Sequence, residues 1–297
     1  MNTDESVFNR MVKRMHSRSP DPLRPLIDDY YMKRERTGSR LPEYLISMKQ
    51  RPRPAGRISP SSIGGCQRQA VFKFLGVKGK KKTDPDGELI FDRGNWIHHQ
   101  WQATSLDMQY VLGKEKFEVI GIEKSVQIKK LYVRGSYDLK CRITTRDGKS
   151  KIYIVDFKSI NDAGFNRVIR DDAPLTAHIG QVLTYDEADQ VPYGILLYDN
   201  KNNSLTKTFV VSLSNKAWDN VERWITEVLE RLEATRLPPK HPGCTSGTFL
   251  YERCPFARLC FGEMERDELS EHAYKNFTGL DDAWKAGIRA ERSVDVK

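Results

Sequence analysis

The stretch KIYIVDFKS (151–159) runs an almost unbroken series of apolar residues into an acid and an amine two positions apart, Asp156 and Lys158. A continuous apolar run of this length, rich in β-branched and aromatic residues, reads as a strand buried on both faces. Residues i and i+2 of a strand share a face, so Asp156 and Lys158 project together from the end of an element otherwise built for burial. A carboxylate and an ammonium in such a place are costly unless they pair with each other or hold a metal ion.

Working outward, FEVIGIEKSVQIK (117–129) and LYVRGSYDLKCRIT (131–144) read as two strands preceding this one, with Asp147-Gly148 as the turn that leads into it. Asp138 then lies on the neighbouring strand, and the two carboxylates converge if the strands pair. PLTAHIGQVLTYDEADQ (174–190) is a helix with Pro174 in its first turn, VPYGILLYDN (191–200) and SLTKTFVVSL (204–213) are two further strands, and NKAWDNVERWITEVLERLEAT (215–235) is an amphipathic helix. Upstream, SPSSIGGCQRQAVFKFLG (59–76) reads as one helix capped by Ser61 or Ser62 and ended by Gly76, and LIFDRGNWIHHQWQATSLDMQYVL (89–112) as another. The fold class is therefore α/β, with a mixed central sheet flanked by helices.

Around this core the sequence divides into a basic, proline-containing N-terminal extension (1–57), the main domain (58–263) and a charged, helical C-terminal tail (264–297). The extension holds thirteen Lys/Arg against seven Asp/Glu, and the whole chain of 297 residues carries a formal charge of +9. Basic excess favours polyanionic partners, because each neutralised phosphate releases counterions. No run of eighteen apolar residues exists to span a membrane, and the N-terminus has no apolar h-region, so the expected location is the cytoplasm.

Converging carboxylates beside a lysine suit phosphodiester hydrolysis. Mg²⁺ or Mn²⁺ takes hard oxygen ligands, neutralises charge in the transition state and acidifies water. An isolated D-x-K triplet is as readily an ion pair at a strand end. Here, however, it stands in an ordered series: GNWIHH (94–99) gives G-x-x-x-H, GSYD (135–138) gives G-x-x-D, then D-x-K, and GQVLTY (180–185) sets Gln181 and Tyr185 on one helical face as Q-x-x-x-Y.

That series resembles the RecB-like branch of the PD-(D/E)XK nucleases over roughly residues 59 to 263. The resemblance implies a restriction-endonuclease-like core. It implies that His98, Asp138 and Asp156, with the Phe157 carbonyl, hold Mg²⁺ or Mn²⁺, that Lys158 is catalytic, and that Gln181 and Tyr185 contact substrate and shape the site. Tyr137 stands where many members carry proline before the first acid, and His98 is chosen over His99 by its spacing from Gly94.

Of the five cysteines, Cys66 precedes these motifs while Cys244, Cys254 and Cys260 follow them as C-x9-C-x5-C, which fits no Cys-His zinc spacing. Cys141 lies three residues after Asp138 and reads as core. The distribution of the other four is similar to the iron–sulfur RecB-like nucleases, among them AddB-type helicase-nucleases and CRISPR-associated adaptation nucleases, which implies a [4Fe–4S] cluster tying the ends of the domain together. Zinc and reduced structural thiols are the alternatives, and the gap from Cys244 to Cys254 is wider than the family's.

The expected function is a metal-dependent DNA exonuclease of recombination, repair or phage-type DNA processing, acting on single strands or duplex ends. The alternatives are a CRISPR-type adaptation nuclease and a non-catalytic DNA-binding scaffold with a nuclease fold. No G-x-x-x-x-G-K-[ST] occurs, so unwinding would fall to a helicase or recombination partner, and an oligomer is compatible with the chemistry. Arg68, Arg93, Arg134, Arg167, Arg170 and the basic cluster of Lys78, Lys80, Lys81 and Lys82 are candidate phosphate contacts, and Phe91, Trp96, Trp101 and Tyr110, in or beside the His98 helix, either pack against the sheet or stack on bases.

Overall fold

A computed structural model describes residues 21–33, 55–77, 85–234 and 236–261; the tail from 264 and the Lys78–Lys82 cluster lie outside the described residues. The chain divides into two compact units, one of residues 1–49, 89–125 and 136–214, the other of residues 50–88, 126–135 and 215–297.

The first unit is built on a five-stranded sheet of order β1 (Phe117–Ile122), β4 (Leu139–Thr144), β5 (Ser150–Ile160), β6 (Tyr193–Asn200), β7 (Thr206–Ser212). Only the β5–β6 pair is parallel; β1–β4, β4–β5 and β6–β7 are antiparallel. The sheet is mixed, as the sequence predicts. The parallel pair requires a crossover, and helices α4 (Asp162–Asp171) and α5 (Thr176–Ala188) supply it between β5 and β6.

Each face of this sheet has its own core. Phe165, Val168 and Val182 of the crossover helices pack with Leu196, Tyr198 and Phe209. On the other face Trp101, Met108 and Leu112 of helix α3 (Pro85–Leu112) pack with Leu139, Cys141, Val155, Phe157 and Leu197. Both faces are covered, which is why β5 reads as a continuous apolar run rather than an alternating one.

That second core also takes in Leu23, Ile27 and Tyr30 of helix α1 (Arg24–Lys33) and the residue preceding it. These residues fall inside the stretch read from sequence as a basic extension. Charge and proline dominate its composition, but the short RPLIDDYYMK segment places Ile27 and Tyr30 three apart on one helical face, and burial of that face decides its place.

Three further expectations are corrected. Residues 59–76 are not one helix: a 3-10 turn at Pro60–Ser62 is followed by Gly64 at φ +75° and then α2 (Gln67–Phe74), with Cys66 rather than a serine at its N-cap. Gly76 does end that helix, at φ +67°. The two segments preceding β5 are each broken in two, giving β1 then β2 (Ser125–Ile128), and β3 (Val133–Ser136) then β4. Strands β2 and β3 form a separate two-stranded sheet. Glu123 at φ +50° and Tyr132 at φ +53° turn the chain at the start and middle of this excursion. Left-handed backbone at non-glycine residues leaves no signature in the sequence.

In the second unit, α6 (Asn215–Glu233) buries Trp218, Val221, Ile225, Val228 and Leu232, while Trp224, expected on the same apolar side, is half-buried. Helices α7 (Phe249–Arg253) and α8 (Ala257–Cys260) follow.

Because Ile27 is 4% exposed within the core of the first unit, Ile27→Ala is expected to destabilise the chain by about 2–5 kcal/mol, read as a lower urea midpoint. A segment outside the core would leave the midpoint unchanged.

Candidate active site

The site forms where β4 begins and β5 is about to end. Leu139 and Val155 are opposed in the antiparallel β4–β5 ladder, so one step outward sets Asp138 abreast of Asp156. Asp138 is off the strand, in the short break after β3, and its Oδ2 accepts the backbone N–H of Phe157 at 2.7 Å. This bond ties the break to the strand that carries the D-x-K triplet.

Asp156 and Lys158 share the face covered by α5. Lys158 Nζ is 2.7 Å from Asp156 Oδ2, an ion pair without the alignment of a hydrogen bond, so Oδ2 is buried with no directed partner. From α5, Gln181 bridges the pair: its Oε1 accepts from Lys158 Nζ at 2.8 Å, and its Nε2 donates to Asp156 Oδ1 and to the Tyr185 hydroxyl, both at 3.1 Å. The four-residue spacing of Q-x-x-x-Y gives this geometry, since both side chains rise from one helical face. Tyr185 is buried and meets Tyr137 edge-on at 6.5 Å between ring centroids.

Helix α3 contributes His98, whose Nδ1 is 3.4 Å from Asp138 Oδ2. His99 points to Gln102 instead, with Nδ1 3.3 Å from Oε1. Gly94, the other half of the G-x-x-x-H spacing, has a physical reason: a Cβ there would lie 3.3 Å from Ser159 Oγ, so its absence lets α3 pass close to the end of β5. The Phe157 side chain goes to the opposite face and stacks on Trp101 at 6.1 Å, leaving only its backbone to the site. His98, Asp138, Asp156, Lys158, Gln181 and Tyr185 thus come together within the first unit.

The electrostatics follow from burial. Asp156, 2% exposed, has its carboxyl pushed up to about 6: burial raises it, Lys158 opposes, and the Asp138 carboxylate raises it further. Asp138 moves the other way. Burial alone would raise it, but His98, Lys158 and the Phe157 N–H together favour its charge. His98 is raised, the Asp138 and Asp156 carboxylates outweighing the burial that disfavours its cation. Each carboxylate therefore has its own basic partner, His98 for Asp138 and Lys158 for Asp156.

The donor set suits a hard divalent cation: two carboxylates, one with an oxygen free of directed bonds, beside an imidazole. Among the described residues, no three His, Cys, Asp or Glu side chains already close around one point at metal-ligand spacing.

Sequence reasoning missed one acidic residue here. Glu123 donates its backbone N–H to the Asp138 carbonyl at 3.3 Å, and its carboxylate accepts from Gln102 Nε2 at 2.7 Å and Ser136 Oγ at 3.2 Å. Burial, then the Asp138 charge, raises its carboxyl. It connects the helix carrying His98 to the break carrying Asp138, but nothing in GIEKS distinguishes it from a surface acid.

One candidate phosphate contact is reassigned, and the other four arginines are exposed. Arg68 is buried in the second unit, donating to the Pro238 carbonyl and, at 3.6 Å, to Cys260 Sγ. Arg167 and Arg170 pair with Asp171, and Arg93 donates to the Lys201 carbonyl at 2.9 Å. Trp101 is core, its indole N–H on Asp199 at 2.9 Å, whereas Trp96 is exposed.

The cysteines lie in the second unit, Cys141 apart, which is buried in the sheet. Gln69 Nε2 donates to Cys254 Sγ at 3.2 Å. Burial raises the Cys244 thiol, and so do Cys254, Cys260 and Cys66, which makes the four sulfurs electrostatic neighbours. Cys260 is raised by burial against the pull of Arg68.

With this geometry, comparison with known proteins gives the class. The model of the PD-(D/E)XK nuclease superfamily matches residues 67–261, and the chain belongs to that superfamily. No curated protein matches it. Among solved structures, an alkaline exonuclease from Laribacter hongkongensis is 12% identical, covering 60% of this chain and 89% of its own, with a TM-score of 0.41. A phage related exonuclease from Haemophilus somnus is 10% identical, covering 60% and 93%, with a TM-score of 0.32.

The raised Asp156 carboxyl sets a pH dependence. Its protonated form is favoured by folding, so that contribution is complete below the unfolded value of 3.8 and lost as pH rises through about 6. In chelator, the wild-type melting temperature is therefore expected to fall relative to that of Asp156→Asn as pH rises from 4 to 7. A constant difference would show that Asp156 does not titrate in this window.

Proposed function

We propose that the chain is a metal-dependent deoxyribonuclease, an exonuclease of the RecB-like branch that hydrolyses phosphodiester bonds in recombination, repair or phage-type DNA processing. The observation that carries this reading is the Asp138, Asp156, Lys158 and Gln181 constellation at the end of β5, held by direct hydrogen bonds in a family of nucleases.

His98, Asp138, Asp156 and the Phe157 carbonyl would hold Mg²⁺ or Mn²⁺. The ion supplies Lewis acidity at the scissile phosphate and lowers the pKa of water there. Lys158 then places a proton donor and positive charge beside the phosphate, where it orients the attacking water and steadies the developing charge. Gln181 fixes both Lys158 and Asp156, so the amine would meet the phosphate, and the carboxylate the cation, already aligned. Tyr185 closes the inner end of the site.

In the second unit, Cys66, Cys244, Cys254 and Cys260 are proposed to hold a [4Fe–4S] cluster. Support comes from the influence of Cys254, Cys260 and Cys66 on the Cys244 thiol and from the usual four-cysteine ligation of such clusters. The basic charge of the chain supports DNA as substrate, and an unwinding partner would extend the activity to duplex.

The test is incubation of anaerobically purified protein with end-labelled linear and circular DNA. Linear DNA is expected to be degraded with Mg²⁺ or Mn²⁺, circles to survive, and chelator to abolish activity. Lys158→Ala is expected to lower the rate roughly a hundredfold or more in a protein that still melts cooperatively. DNA binding without cleavage under either metal would refute the enzyme and leave a binding scaffold. A brown protein whose visible absorption is lost in Cys254→Ala would support the cluster; a colourless protein containing zinc would refute it.

A further inference from the structure

The helical face that carries Tyr185 and Gln181 continues one turn back along α5 to His178. Residues i, i+3 and i+7 lie on one side of a helix, so His178 continues the line running outward from Tyr185. Its ring lies beside the side chain of Tyr198, the residue opposite Lys158 in the β5–β6 pair, with centroids 5.5 Å apart. Lys158 is close enough to bear on it electrostatically.

The hydrogen bonds assign its tautomer. Tyr198 is fully buried. Its hydroxyl oxygen accepts the Leu175 backbone N–H at 3.0 Å and lies 2.9 Å from His178 Nδ1. A buried hydroxyl proton without an acceptor is unfavourable, and Nδ1 is the acceptor at hand. Tyr198 therefore donates to Nδ1, and the ring proton sits on Nε2, at the edge away from Tyr198. The same bond excludes an imidazolium, and burial with the nearby Lys158 charge pushes the imidazole down to about 3.

We propose that His178, held by Tyr198 as the neutral Nε2–H tautomer, donates a hydrogen bond to a non-bridging phosphate oxygen of the substrate strand one step outward from Lys158. This assignment rests on the nuclease reading of the site. A neutral donor positions a phosphate without adding to the counterion release that a lysine or arginine contact produces. His178 is then a substrate-contacting residue and Tyr198 a positioning residue acting through it.

Two measurements on the full chain test this. In a long-range ¹H–¹⁵N spectrum of histidine-labelled protein, with the His178 signals identified by their loss in His178→Gln, Nδ1 is expected to be unprotonated and Nε2 protonated. A proton on Nδ1 overturns the proposal. In Ca²⁺, the Kd for a fluorescein-labelled duplex with a single-stranded overhang is expected to rise roughly tenfold or more in His178→Ala with an unchanged slope against salt. It should stay within about threefold of wild type in His178→Gln, which keeps an N–H at the same reach.

An unchanged Kd in His178→Ala, or a slope reduced by about 0.9, overturns it. Failure of the wild type to cleave in Mg²⁺ while these binding changes hold would refute the nuclease reading alone. Cleavage by the wild type with no binding change in His178→Ala would refute His178 alone.

Discussion

The hydrogen bond from the Phe157 backbone to the Asp138 carboxylate is the contact on which the site depends. Asp138 does not sit in a regular strand; it occupies a break where the chain returns from the small β2–β3 sheet. Without an anchor, the carboxylate would move with that break. By accepting an N–H between Asp156 and Lys158 in the chain, Asp138 is fixed to the strand that bears both. Phe157 can serve in this way because its side chain leaves through the other face, stacking on Trp101 in the core. One residue thus couples packing on one face to acid placement on the other.

The second constraint is electrostatic. Asp156 is buried in an element made for burial, against another carboxylate, and its charge is disfavoured even with Lys158 beside it. Such a carboxylate is unfavourable for folding and useful for chemistry, because a divalent cation relieves the same repulsion that raises it. Gln181 keeps the arrangement from relaxing: it holds the amine with one end and the carboxylate with the other. Helix α5 therefore acts as a clamp over the end of β5, its position set by the crossover that a parallel pair demands.

What the sequence discloses is what periodicity and spacing can encode. The apolar run into Asp156 marks a central strand and Q-x-x-x-Y puts two polar residues on one helical face; G-x-x-D supplies the second acid, which the structure sets in the break just before the neighbouring strand rather than on it. Other features depend on long-range packing and have no local mark. Glu123 and Tyr132 turn in left-handed backbone without glycine, so two strands became four. Ile27 and Tyr30 sit in a basic, proline-rich context, yet they are core. Arg68 looks like a phosphate contact and is buried on the Pro238 carbonyl. His178 reads as one more polar residue of a helix until Tyr198 is found against its ring.

The most direct test is a crystal of the chain soaked in Mn²⁺ and measured at the manganese edge. An anomalous peak between the Asp138 and Asp156 carboxylates, within ligand distance of the Phe157 carbonyl and His98, is the result this account requires. A peak elsewhere, or no peak while Lys158 remains paired to Asp156 in saturating Mn²⁺, would contradict it.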